Sequence, residues 1–452
     1  LHRRRHSFPT RRSSDLASDT IAIPTGTTTL TADLPAITEN VTIQGAGMSD
    51  TIVSGNTGQY RVFGSDNITL TIKDLAVTGF RQYALMALDT NLTAERIEVD
   101  GAGAAPISGD LQAFFVRNTT AGARSANITD LYIHDIEVQT NLLGALLINQ
   151  NGGGTTTASL QNITIANISN TISSGGGSIG VILSVGIWGS SFGDNGTLNT
   201  TASNITIHNV HSNTTIAAAF SSNAYSNGGD ATVNTTVNNV TITDTDGILD
   251  NTTAVDSAAF YAVGIGIGAG TTATSRISVG NSLMANNISN GSPSNCTVGD
   301  FTSVVSGQGS TDVEVSSLGH NIFDDSSCAS YFTQPTDQHN ISGLLATLGS
   351  LQNNGGNVPT RALLEGSPAI AAGGAVLGVT TDARGVARNS CPSVGAYQFE
   401  GAVCAVSTTN AGTNASAPNT GIGSATQLLN VLAGLLGLGS LTYVFRKQQR
   451  SS

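Results

Sequence analysis

Tryptophan, basic residues and charge in general are scarce in this sequence. It has one Trp, three Met and four Cys in 452 residues, and only 11% of its residues are charged. Between residues 17 and 420 there are ten basic residues against 29 acidic ones, a formal charge of −19. Nucleic-acid binding needs clustered cations to displace counterions, and none are clustered here, so that class is excluded. The acidic charge is spread too thinly for an acidic tail. Gly, Asn, Ser and Thr stand where Lys and Glu are usual, which disfavours long helices and suits strands joined by many turns. No Cys-x-x-Cys pair occurs, which argues against a zinc site or a thioredoxin-type motif. At 39% hydrophobic the chain can still bury a substantial core.

The opening residues 1–16, LHRRRHSFPTRRSSDL, are basic where everything after them is acidic. From His6 to Leu16 they match the in-frame translation of a common short-read sequencing adapter, so they are read as an artefact and set aside. Cys296, Cys328, Cys391 and Cys404 suit two disulfides in an oxidising compartment. Sequence leaves three connectivities open. Pairing of nearest neighbours expects Cys296 with Cys328 and Cys391 with Cys404.

The middle of the chain repeats itself. Asn-Ile-Thr or a close variant begins at Asn67, Asn91, Asn127, Asn162, Asn204 and Asn239. Most of these lead into alternating apolar runs such as Leu131-Tyr132-Ile133, Ile163-Thr164-Ile165 and Ile205-Thr206-Ile207. Alternation of period two in residues of high β-propensity predicts half-buried strands. Repeats of this length mean a solenoid or a propeller. The propeller signature is absent and the Leu and Ala frameworks of other solenoids are missing, so a parallel β-helix over 17–320 is expected, with loops of variable length at its corners. The recurrent Asn then sits at αL-type bends and stacks in ladders. The competing reading is a set of N-glycosylation acceptors.

Two stretches carry a family resemblance. Thr20-Ile21-Ala22-Ile23-Pro24 followed by Asn40 to Gly47 resembles the first coil of pectate-lyase-like β-helix proteins. More specific is an ordered series: Ser317 to Asn321, Asp324 to Cys328, Leu351 to Gly356, Gly366-Ser367-Pro368-Ala369-Ile370, Thr381 to Arg388, and Val394 to Tyr397. This series resembles the closing region of the choice-of-anchor Q group of bacterial surface proteins. The resemblance implies a right-handed parallel β-helix with a C-terminal capping region over 321–404. It implies a structural role for Asp382, Arg384 and Arg388, as a polar cap on an apolar column. One departure is visible: the family usually has Asp after Ser-Pro-Ala-Ile, where this chain has Ala371.

Residues 405–424 read as a flexible linker that contains Ala417-Pro418-Asn419-Thr420-Gly421. The motif resembles the LPxTG sorting signal of sortases, with Ala in place of Leu. An uncharged stretch at 425–445 follows, long enough as a helix to span roughly 31 Å of bilayer. Arg446, Lys447 and Arg450 in the tail 446–452 suit a cytoplasmic stop-transfer end. One C-terminal transmembrane helix and a cell-surface location are therefore expected, with a sortase and an envelope amine as partners.

Catalytic motifs are poor. Arg276-Ile277-Ser278, Gly319-His320-Asn321 and Asp324-Asp325 are incomplete fragments of the polygalacturonase set, in the wrong order. Glycosidase chemistry needs two carboxylates flanking one bond, and none announce themselves. Asp130, Asp135 and Glu137, or Asp244, Asp246 and Asp250, are read as solvated corner residues, with an incidental Ca²⁺ site as the alternative. His134, His208 and His211 are read as loop or groove residues. Two classes stay open: a non-catalytic adhesin, carbohydrate binder or spacer, and an extracellular polysaccharide lyase or hydrolase. For the anchor, the expected outcome is that detergent leaves the protein on the cell while a wall-degrading enzyme releases it without residues 421–452. A tryptic peptide crossing Thr420-Gly421, recovered from most of the mature surface protein, would overturn that.

Overall fold

A computed structural model of the chain describes residues 19–401, apart from 106–109, 139–141, 171–178, 188–194, 213–215, 227, 248–257, 267, 290 and 301–308. Trp188, Asp250, Cys404, the motif at 417–421, the span at 425–445 and the tail 446–452 lie outside the described residues. Among the described residues no helix is long and apolar enough to cross a membrane.

The fold is all-β, with two large sheets built almost wholly from parallel strands and a small antiparallel pair, Leu348–Gln352 with Thr360–Leu363; one 3-10 turn, Leu344–Thr347, is the helix of the described residues. The chain alternates between two sheets. Asn91–Asp100 lies in the longer sheet, Asp110–Asn118 in the second, Ala123–Val138 in the longer, Leu142–Gln150 in the second, and so on. Each return pairs in parallel with the strand of the preceding coil. This is the connectivity of a β-helix-like solenoid. It runs from Asp19–Ala22 to Ser310–Gly319 along the longer sheet.

Inward residues stack into one apolar column. Ile128, Leu160, Ala202 and Val237 follow one another coil by coil, as do Ile133, Ile165, Ile207 and Ile242, all 2% exposed or less. The second sheet contributes Phe114, Leu146, Phe220 and Phe260. At the N-terminal end the column opens into an apolar cavity of about 370 Å³ lined by Ile23, Leu30, Ile37, Ile43, Val53 and Phe63. At the other end Phe323, Cys328 and Phe332 join the core. The expected disulfide between Cys296 and Cys328 is present, with Cα atoms 5.1 Å apart, and ties that closing segment to the last strand of the second sheet. The second expected pair depends on Cys404 and so falls outside the described residues.

Each of the four longest strands, Ala123–Val138, Thr155–Asn170, Gly196–Ser212 and Ala231–Gly247, is interrupted twice by one residue of positive φ. In Ala123–Val138 these are Asp130 (φ 58°) and Asp135 (φ 54°). Neither takes part in the pairing, which passes from Thr129 to Leu131 and from His134 to Ile136. The first interruption recurs at Asp74, Arg96, Asn162, Asn204, Asn239, Asn281 and His320; the second at Asn167, Asn209, Asp244 and Asn286. Most of these are Asn or Asp, which tolerate the left-handed region better than other side chains. The expected Asn corners are therefore found at Asn162, Asn204 and Asn239, and the amides do ladder. Asn204 donates to the Asn162 side-chain oxygen at 3.1 Å, and Asn162 to Asp130 at 2.9 Å. Asn91 and Asn127 differ: they sit inside strands without positive φ. Asn67 is left-handed (φ 53°) but precedes its strand at another corner.

Replacing Asn162 separates the two jobs of a corner residue. Asn162→Gly keeps the backbone conformation and loses the hydrogen bonds, at about 1 kcal/mol. Asn162→Ala adds a left-handed penalty of about 1–2 kcal/mol. Urea denaturation should rank Ala clearly below Gly; equal losses would refute this account of the corners.

Candidate functional site

The two corners divide the longer sheet into facets, and the middle facet carries the chemistry. Its outward positions hold Glu98 and Asp100, then Tyr132 and His134, then Thr164 and Ala166, Thr206 and His208, Thr241 and Thr243, Leu283 and Ala285. Residues 344–399 fold back over this facet. At its C-terminal end the contact is apolar, with Leu283 and Ala285 packed among Leu344, Leu348, Leu363 and Val394. Further along it turns polar: Thr164 donates to the Pro359 carbonyl at 2.7 Å, and the Ala396 N–H donates to Thr241 at 3.0 Å. Tyr132 packs against Val358, Ala383 and Ala396.

His134 stacks on the Tyr132 ring with centroids 4.0 Å apart. Its Nε2 lies 3.0 Å from a Glu98 oxygen and its Nδ1 lies 2.7 Å from an Asp135 oxygen. A carboxylate faces each ring nitrogen, an arrangement that favours the ring with both nitrogens protonated. Burial pushes the His134 pKa down, but the hydrogen bonds to Glu98 and Asp135 and the charges of Asp135 and Asp100 outweigh it, and the net shift is upward. Burial pushes Asp135 up, and His134 and Asn167 more than reverse that, holding its carboxyl below the usual value. Tyr132 is driven up to about 12, first by burial and then by the surrounding carboxylates.

Asp100, His134 and Asp135 bring ligand atoms within 4.8 Å of one another, the cluster among the described residues that could hold a metal ion. One nitrogen with carboxylate oxygens suits a transition ion better than Ca²⁺, which prefers oxygen alone. Such an ion would have to displace a ring proton of His134.

The other expected residues fall elsewhere. Asp130 and Asp135 occupy separate corners, and Glu137 is exposed beyond the second. Asp130 accepts from Asn162 and from Asn357 of the returning segment, at 2.9 and 2.8 Å. His208 lies 3.1 Å from Asp244, which also pairs with Arg361 at 2.8 Å. Burial raises Asp244, and His208, Asn286 and Arg361 together bring it below the ordinary value. His211 is 3.5 Å from Asp246. Arg276 pairs with Asp312 and, at 3.5 Å, with Glu314. His320 ends the first corner ladder, its Nδ1 donating to the Ala372 carbonyl at 2.7 Å. Asp324 and Asp325 accept from the Asn286 and Asn295 N–H groups. Of these residues only Asp135 belongs to the His134 cluster.

Asp382, Arg384 and Arg388 lie against the side of the solenoid and not over its end. Asp382 is fully buried and accepts from the backbone of Arg384, Val386 and Gln398. Arg384 pairs with it at 2.8 Å and stacks over Tyr397. Arg388 donates to the Asn204 side-chain oxygen and to the Ser393 and Gly395 carbonyls. Burial lowers its pKa to about 10, against the pull of Asp382. Ala371 adopts a left-handed conformation (φ 56°), one that the Asp of the resembled family would hold with less strain.

Comparison with known protein families, with curated proteins and with solved structures finds no match.

The two shifts set the pH dependence. The raised pKa of His134 stabilises the fold fully below its unfolded value, near 6.5, and that contribution is lost as pH rises through the folded pKa. The lowered pKa of Asp135 stabilises above its unfolded value and is lost as pH falls through the folded one. From about pH 6 to about pH 9 the wild-type melting temperature should therefore fall more steeply than that of His134→Gln. Parallel curves for the two would remove His134 from the account.

Proposed function

We propose that this chain is a non-catalytic surface protein, a stiff β-solenoid that presents its facets to a ligand or spaces another element from the cell. The state of His134 supports this most directly. It is the histidine of the one metal-competent cluster among the described residues, and each of its ring nitrogens lies within hydrogen-bond distance of a carboxylate, so the favoured, doubly protonated ring offers no lone pair for a general base. The carboxylates around it are themselves engaged, and Tyr132 is held neutral. Right-handed winding belongs to the same reading, since parallel crossovers are right-handed in about 98% of cases. So does attachment through Ala417 to Gly421 by a sortase, with the apolar span 425–445 in the membrane. The ligand would be a surface glycan or a host-cell molecule.

The competing reading, an extracellular polysaccharide lyase or hydrolase, draws on the position of the same cluster. Glu98, Asp100 and His134 lie at the edge of the returning segment, where a polymer would have access.

A glycan array probed with the chain, with reducing ends assayed in the same wells, separates the two. Retention without new reducing ends is expected. Release of reducing ends that disappears in Glu98→Gln or His134→Gln would replace this reading with the enzymatic one.

A further inference from the structure

The first facet of the longer sheet is bare, and its outward side chains stand in register. Thr71, Thr93, Asn127, Ser159, Thr201 and Thr236 form one column. Two residues nearer the strand starts, Ser125, Thr157, Asn199 and Asn234 form a second. Thr155, Thr197, Thr232 and Thr274 form a third. No strand of this block is bulged, and the returning segment lies on the neighbouring facet instead. Among the described residues, the hydroxyls of Thr71, Thr93, Ser159 and Thr236 have no hydrogen-bond partner, and these side chains are half-buried or exposed.

Three properties of this face bear on its partner. First, it is regular in two directions. Rungs repeat at about 4.7–4.9 Å along the solenoid, and alternate residues repeat at about 6.6–6.8 Å along each strand. Both spacings come within about a tenth of the oxygen repeats on a prism face of hexagonal ice. Second, the face is neutral. The outward positions from Ala123 to Asn238 in four successive strands carry no charge, in a chain with 30 acidic residues. Charged side chains hold hydration shells that do not fit a crystal of water, so their absence complements an uncharged lattice. Third, threonine dominates. Its hydroxyl can enter a water lattice while its methyl orders the water beside it, and its branched Cβ restricts χ1, so little freedom is lost on binding. A flat insoluble glycan is the other neutral lattice, but carbohydrate faces stack on aromatic rings and no aromatic occupies these positions.

We infer that this threonine-rich facet, centred on Ser159 and Thr201, binds the surface of ice. The inference does not rest on the adhesive reading or on the anchor.

Partition into a slowly growing ice front tests it with the full chain. The fraction of protein in ice is measured against that of a globular protein that ice excludes. The chain should be enriched several-fold over this control. Ser159→Tyr/Thr201→Tyr, which breaks the lattice on an exposed face, should fall to the control level with an unchanged far-UV circular dichroism spectrum. Thr201→Lys carries the same expectation should the double variant misfold. Leu377→Tyr, at a fully exposed site on the C-terminal segment, should partition like wild type. Exclusion of the wild-type chain from ice would overturn the inference. So would tyrosine variants that enter ice as well as wild type, or capture by insoluble cellulose or chitin without entry into ice.

Discussion

The structure depends on bending a parallel strand without losing its place. Side chains of a strand alternate between faces, so a displacement of one residue would turn the apolar set outward. In the four longest strands each bend uses one unpaired left-handed residue. Ile128 points inward before Asp130, and Leu131 points inward after it; Ile133 and Ile136 do the same around Asp135. The inserted residue absorbs both the turn and the change of phase. Because the bend recurs in every coil at the same register, the corner residues stack, and their side chains meet. Asn204, Asn162, Asn209 and Asn167 each donate toward the preceding coil. A ladder with one sense must finish on a group that only accepts. Asp130 and Asp135 occupy those ends.

Much of this is legible in the sequence. The alternating apolar runs identify the inward column. The Asn-Ile-Thr series mixes two kinds of position, because Asn91 and Asn127 share the tripeptide but not the corner. The sharper signal is a pair five residues apart, as in Asn162 and Asn167, Asn204 and Asn209, or Asp130 and Asp135, with apolar residues at the first and third positions between. The site was less legible. His134 and Glu98 meet only because their coils stack in register 36 residues apart. The return of the C-terminal segment rests on contacts such as Asn357 with Asp130, 227 residues apart, and no local pattern carries that distance.

That return changes what the middle facet can do. Its far end is an apolar joint, but from Thr243 to Asp130 the contact consists largely of hydrogen bonds, and docking there disturbs the corner ladder. Arg388 takes the Asn204 oxygen that the next amide would otherwise use. Asn239, 1% exposed, is left with no partner among the described residues for either side-chain atom. A buried unpaired amide costs about 1–3 kcal/mol, which the four hydrogen bonds of Arg388 offset locally. The segment ends its coverage at Tyr132, so the charged residues cluster where polar groups again reach solvent.

The same stacking accounts for the scarcity of charge. In an in-register parallel solenoid any residue repeated from coil to coil stands about 4.8 Å from its copy. Two like charges at about 4 Å repel by about 1 kcal/mol even in water, and by more where the dielectric is lower. A column of Lys or Glu would accumulate that cost at every rung. Charges therefore survive where a neighbouring rung answers them: Lys73 stands beside Glu95, Arg96 pairs with Asp74, Arg276 with Glu314, and His134 with Glu98. Elsewhere the outward positions need residues that are polar, neutral and comfortable in a strand. Threonine meets all three conditions, and serine and asparagine meet the first two. The low charge and the abundance of short polar residues thus follow in part from the stacking, which leaves the choice among threonine, serine and asparagine to each facet.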